Sequence, residues 1–160
     1  MDKLWAPWRI NYVQGKKKSG CVFCLAKRPG VKKDFVIFKT RKSIALLNIF
    51  PYNNGHLMVA PLRHVRDISL LDNAEVLDLF ASLNRAKALL EKVLAPDGYN
   101  IGINVSRIAG AGIPGHLHIH IVPRWNGDTN FMPVLNNTKI ISQSLEELHK
   151  RLKACISSKG

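Results

Sequence analysis

Three histidines at alternate positions, His116, His118 and His120, fall in the run His116-Leu117-His118-Ile119-His120-Ile121-Val122. Alternation with aliphatic residues predicts a strand, whose side chains change face at every residue. One face would carry three imidazoles in a row, the other would bury Leu117, Ile119 and Ile121, and Pro123-Arg124 would end the run by withdrawing a backbone donor. Imidazole serves near neutral pH as nucleophile, proton carrier or metal ligand, so the row reads as a reaction centre. The plainer alternative is a solvated polar face, but half of the chain's six histidines lie here. Just upstream, Ala109-Gly110-Ala111-Gly112-Ile113-Pro114-Gly115 combines three glycines with two alanines. Such a loop lets backbone N–H groups close on an anion, as in phosphate-cradling nests. Cys21 and Cys24 form a second candidate group: their C-x-x-C spacing lets both thiolates reach one metal or form a redox pair. The alternative for them is a pair of buried thiols.

These groups need a scaffold. Residues 35–38, 44–47 and 57–60 are short apolar segments separated by turn material such as Pro51-Tyr52-Asn53-Asn54-Gly55, which predicts an antiparallel meander. Asp72 followed by Glu75 resembles a capping box, and Val76, Leu79, Phe80, Leu83, Leu90 and Val93 or Leu94 recur at helical spacing until Pro96-Asp97-Gly98. A strand is expected over 100–105, then the glycine loop and the histidine strand. A C-terminal helix follows from about Ser144, with Leu145, Leu148, Leu152 and Ile156 on one face. The order β-β-β-α-β-β-α predicts an α+β domain with a mostly antiparallel sheet of about five strands, one long helix and a C-terminal helix. At 160 residues the chain suits a single domain over 21–160. An irregular arm over 1–20 precedes it, whose Trp5 and Trp8 need burial against the domain or a second subunit.

Lys and Arg number 24 against 11 Asp and Glu, a formal charge of +13, and the basic residues are spread along the chain. The surface should attract polyanions, nucleic acid or a polyphosphorylated nucleotide. No apolar run approaches the roughly 20 residues of a membrane span. With no signal-peptide stretch at the N-terminus and three cysteines, a cytoplasmic protein without a disulfide framework is expected. Cys155 reads as a small residue on the last helix.

The His-x-His-x-His run, the segment Asn53-Asn54-Gly55-His56-Leu57-Met58-Val59-Ala60-Pro61 and the following His64 resemble the histidine triad (HIT) family of nucleotide hydrolases and transferases. Leu4-Trp5-Ala6-Pro7-Trp8-Arg9, the glycine loop and the stretch from Pro123 to Phe131 are similar to a bacterial branch known for diadenosine tetraphosphate hydrolase or phosphorylase activity. The resemblance implies a HIT-like fold and cleavage of dinucleoside polyphosphates, with AMP among the products. His118 would be the nucleophile that forms a nucleotidyl-histidine intermediate, and His120 and His56 would donate hydrogen bonds to the same phosphate. It implies a ribose contact at Asn48 and a base pocket lined by Phe23 and Ile49, with Val22 and Leu47 as further candidates. Many triad proteins carry Gln or Ser where this chain has Gly112, so backbone, Asn104, Ser106 or Arg107 would hold the anion. Cys21, Cys24, His64 and His116 match a structural zinc site of related proteins, a Cys₂His₂ set that leaves no open position on the ion. No organic cofactor is implied; a homodimer is.

Two other functions stay open. One is a nucleotide-binding regulatory module without useful turnover, against which the intact triad argues. The other is a charge-driven nucleic-acid binder, disfavoured by the scattered basic residues and marked by steep salt dependence.

Overall fold

Short β-branched and aliphatic segments joined by tight turns form the sheet, and the one long amphipathic segment forms the helix that covers it. The computed structural model describes residues 20–27, 35–128, 141 and 143–157. The arm expected over 1–20, with Trp5 and Trp8, lies outside these apart from Gly20. A short helix α1 (Val22–Ala26) is followed by strands β1 (Val36–Lys39), β2 (Ser43–Leu47) and β3 (Leu57–Pro61). The long helix α2 (Asn73–Leu94) leads to β4 (Gly98–Ile103) and β5 (Ile119–Arg124), and α3 (Leu145–Ser157) follows. All strand pairs are antiparallel in the order β1-β2-β3-β5-β4, so β5 lies between β3 and the edge strand β4. No helix among the described residues is long and apolar enough to cross a membrane.

The two faces of the sheet are covered differently. Ala45, Leu47, Leu57, Val59, Ile119 and Ile121 pack against Leu79, Leu83, Ala86 and Leu90 of α2 and Leu148 and Leu152 of α3. On the opposite face Val36, Ile44, Leu46, Met58 and Ala60 gather around Phe23 of α1. A residue row crosses that second face: Val36, Leu46, Met58, His120 and Gly102 stand opposite one another from strand to strand. The histidines therefore continue an apolar surface, and β2 and β3 are buried along their whole lengths.

The capping box of α2 is complete: Asp72 accepts from Glu75 N–H while Glu75 accepts from Asp72 N–H. Arg63 grips the same Glu75 at 2.8 and 2.6 Å. Phe80, expected on the inner face, is 55% exposed. The packed stripe runs through Leu79, Ser82, Leu83, Ala86, Leu89 and Leu90, and Phe80 lies about 100° around the helix from Leu79. The strand expected over 100–105 runs instead over Gly98–Ile103. The histidine strand begins only at Ile119, because Leu117 N–H turns aside to Val65 O at 2.6 Å and His116 N–H closes a turn onto Ile113 O at 3.2 Å. Pro123 does not end β5: its carbonyl faces Asn53 Nδ2 at 3.0 Å, on the side where pairing with β3 has stopped at Ile121, so its missing N–H leaves no ladder bond unmade.

Candidate active site

His118 immediately precedes β5, on the face of the sheet that also carries His120. Its Nδ1 lies 2.8 Å from the main-chain carbonyl oxygen of His116. A carbonyl only accepts, so Nδ1 carries the proton and the neutral ring keeps its lone pair on Nε2. The ring is 3% exposed, and burial holds it below the ordinary imidazole range, hence neutral and nucleophilic at physiological pH. Phe23 supports it, with ring centroids 5.2 Å apart. The solvated-face alternative fails on burial, since His116 and His120 are only 1% and 8% exposed.

His120 and His56 form a bonded pair, His56 Nε2 to His120 Nδ1, at 2.8 Å. On its other side His56 Nδ1 accepts the Tyr52 main-chain N–H at 3.1 Å. Both nitrogens of His56 are thus engaged and the residue is fully buried, behind His120 and away from the cavity wall. His56, expected beside a phosphate, is placed by its bond to His120 off the cavity wall. The Nε2 of His120 is buried and finds no hydrogen-bond partner among the described residues. Burial first and neighbouring imidazoles second push His56 down to about 3 and His120 down to about 4. Gly55 makes this placement possible. Its φ is +77°, and a Cβ there would come within 2.6 Å of Leu94 Cδ1 and 3.0 Å of Pro123 Cγ.

A cavity of about 480 Å³ opens beside His118 and His120. Gly110 and Gly112 of the glycine loop border it, with Asn48, Ile49, Leu47 and Val22 among the other wall residues. Asn48 accepts Phe50 N–H on Oδ1 at 2.9 Å, which leaves its NH₂ group facing His56 Nδ1 at 3.3 Å. Phe23 does not reach the cavity. Val22, its neighbour on α1, does, and about 100° further round the helix Phe23 points inward onto His116 and His118. Asn104 is also absent from the wall and lies behind the loop, its Nδ2 3.9 Å from where a Cβ on Gly110 would stand. Tyr52 carries no chemical signature in the sequence, where it belongs to a turn. In the fold its half-exposed ring borders the cavity and lies over His56 at 4.5 Å and His120 at 5.7 Å between centroids.

A second cluster lies behind the first. The ligand atoms of Cys21, Cys24, His64 and His116 all fall within 4.8 Å of one another. Cys21 Sγ is 3.1 Å and Cys24 Sγ 3.7 Å from His116 Nδ1, and Cys24 Sγ is 3.3 Å from His64 Nδ1. A tetrahedral zinc ion with ordinary Zn–S and Zn–N bonds spaces sulfur and nitrogen ligands about 3.5 Å apart, so the set fits. His116 Nε2–H donates to Pro61 O at 2.8 Å, which leaves Nδ1 bare toward the thiols. The cluster links α1 and the residues after β3 to the segment entering β5.

Comparison with known proteins agrees with this architecture. The sequence profile described as the HIT domain matches residues 29–127. A Mycobacterium tuberculosis protein named AP-4-A phosphorylase is 32% identical over 95% of this chain and 83% of its own length. A Schizosaccharomyces pombe bis(5'-nucleosyl)-tetraphosphatase (asymmetrical) is 38% identical over 58% of this chain and 50% of its own. Among solved structures, a zinc-bound histidine triad family protein from Mycobacterium smegmatis superposes with a TM-score of 0.69 at 28% identity, covering 88% of this chain and 95% of that one.

Proposed function

The chain belongs to the HIT domain family, and from that membership and the geometry of the cavity we propose that it cleaves dinucleoside polyphosphates, diadenosine tetraphosphate among them, through a nucleotide carried on His118. The observation that carries this reading is the pairing, in one cavity, of a bare His118 Nε2 with a His120 Nε2 that has no partner among the described residues. The His118 lone pair forms a bond to the α-phosphorus while the bond from that phosphorus to the bridging oxygen breaks, its electron pair leaving with the polyphosphate. Water or inorganic phosphate then attacks the phosphorus and the P–N bond breaks, releasing AMP or ADP. His120 offers an N–H to the phosphoryl oxygens where charge gathers, and the main-chain N–H of Gly112 adds to it, those of Gly110 and Ala111 being held by Arg107 O and Ser106 O. Asn48 meets the ribose, and Leu47, Ile49 and Val22 receive the base.

Phosphate as the acceptor is the second reading, favoured by the name of the mycobacterial relative. Incubation with diadenosine tetraphosphate decides between them. ATP with AMP in the absence of phosphate marks hydrolysis; ATP with ADP, formed only when phosphate is added, marks phosphorolysis. Neither product pair, at any phosphate concentration, sinks both.

Cys21, Cys24, His64 and His116 would hold a structural zinc ion that supplies no reactive position and ties α1 to the entrance of β5. The same proposal includes a homodimer built on the edge strand β4 and the outer face of α2, where Ile101, Leu77 and Phe80 are exposed. It also places the protein in the cytoplasm, where thiolate ligands stay reduced.

A further inference from the structure

We propose that Tyr52 is the positioning residue of the site: its main-chain N–H fixes a single proton arrangement along His56 and His120, so that His120 always meets the substrate as an Nε2–H donor. A neutral imidazole carries one proton on one of two nitrogens, and two bonded imidazoles can share their protons in either direction. An amide N–H only donates. With the Tyr52 N–H directed at His56 Nδ1, 3.1 Å away, that nitrogen must be the acceptor and His56 must carry its proton on Nε2. His56 Nε2–H then donates across 2.8 Å to His120 Nδ1, and the His120 proton must sit on Nε2, the buried nitrogen without a partner among the described residues. The NH₂ of Asn48, oriented by the bond from Phe50 N–H to its carbonyl oxygen, stands 3.3 Å from His56 Nδ1 and 3.5 Å from Nε2, so the choice between the two nitrogens falls to the Tyr52 N–H.

The reversed arrangement would turn a lone pair of His120 toward the phosphate oxygens, repelling the charge it must stabilise. The Tyr52 ring adds a second contribution. Lying over both imidazoles, it shields the pair from water that could exchange the protons and scramble the arrangement. The inference rests on the reading of His120 as the phosphate's donor. It reaches beyond that reading by assigning the direction of the donor to a residue that does not itself take part in the bond-making.

The test replaces the Tyr52 peptide N–H by an ester oxygen, using the hydroxy-acid analogue of tyrosine in the full chain, and reads ring ¹⁵N signals of labelled histidine in ligand-free protein above neutral pH. In the native protein His120 Nε2 and His56 Nε2 should be of the protonated type and both Nδ1 atoms of the unprotonated type. The ester should move both rings toward the opposite tautomer and lower kcat for diadenosine tetraphosphate about tenfold or more, with a smaller change in KM. Tyr52→Phe, which retains amide and ring, should keep the native tautomers. An unprotonated His120 Nε2 in the native spectrum overturns the proposal even if the ester variant fails to fold. So does an ester variant with native tautomers and native kcat. Because the tautomers are read without substrate, they decide this point independently of whether the protein turns over dinucleoside polyphosphates.

Discussion

His116 and His118 are two residues apart, both buried, both touching Phe23, and they are prepared for opposite tasks. His116 gives its Nε2–H to Pro61 O and turns a bare Nδ1 toward two thiols; His118 gives its Nδ1–H to His116 O and turns a bare Nε2 toward the cavity. The comparison teaches that residue type does not decide whether a histidine binds metal or attacks phosphorus. What decides is which nitrogen the backbone has claimed. The clusters are coupled through one residue, because the carbonyl that orients the reacting ring belongs to the residue whose side chain faces the thiols.

Several experiments should pull the two clusters apart. The largest effect is expected from His118→Ala, which should lower turnover of diadenosine tetraphosphate by at least about a thousandfold while metal content by elemental analysis stays unchanged; turnover at the native rate would refute the assigned nucleophile. Next, Cys24→Ala or chelation should cost about 4 kcal/mol of stability in denaturant unfolding and lower activity only as far as α1 loosens. Stoichiometric zinc in neither the native protein nor the variant would reject the metal centre.

Acid should act on both clusters, since burial also pushes His116 beside the thiols down to about 4. His56 and His120 titrate at about 3 and about 4 when folded, against 6.5 in an unfolded chain. Between those limits the unfolded state binds more protons, so their contribution to stability is full above about pH 6.5 and is lost as pH falls toward 3 to 4. The slope is at most about 1.4 kcal/mol per pH unit for each ring. Urea unfolding across this range would show it, and a midpoint flat from pH 7 to pH 4 would contradict the burial argument. The smallest effect belongs to Gly55→Ala, which should destabilise by about 1–2 kcal/mol and impair turnover through a shifted His56, with metal binding left intact. Unaltered stability there would mean that Leu94 simply moves aside.

The order of the strands and of the two longer helices, the capping box at Asp72 and Glu75, the alternating strand and the Cys21–Cys24 pair were legible along the chain, because each follows from short-range periodicity or spacing, whereas His64 and His116 joined that pair only through the family resemblance. Three things were not. Nothing in the local pattern shows that β3 would bring His56 against His120 and so take both its nitrogens out of the cavity. Nor does it tell Val22 from Phe23 as the wall residue of α1, which depends on how that short helix is rotated against the sheet. Tyr52, in what reads only as a turn, acquires its position from the strands on either side.

By itself the sequence determined which atoms were available: imidazoles in register, thiols at ligand spacing, and glycines where a side chain would obstruct. Tertiary structure decided which nitrogen of His116 and of His120 carries its proton. That choice depends on groups brought within about 3 Å from elsewhere in the chain, Pro61 O for His116 and His56 Nε2–H for His120.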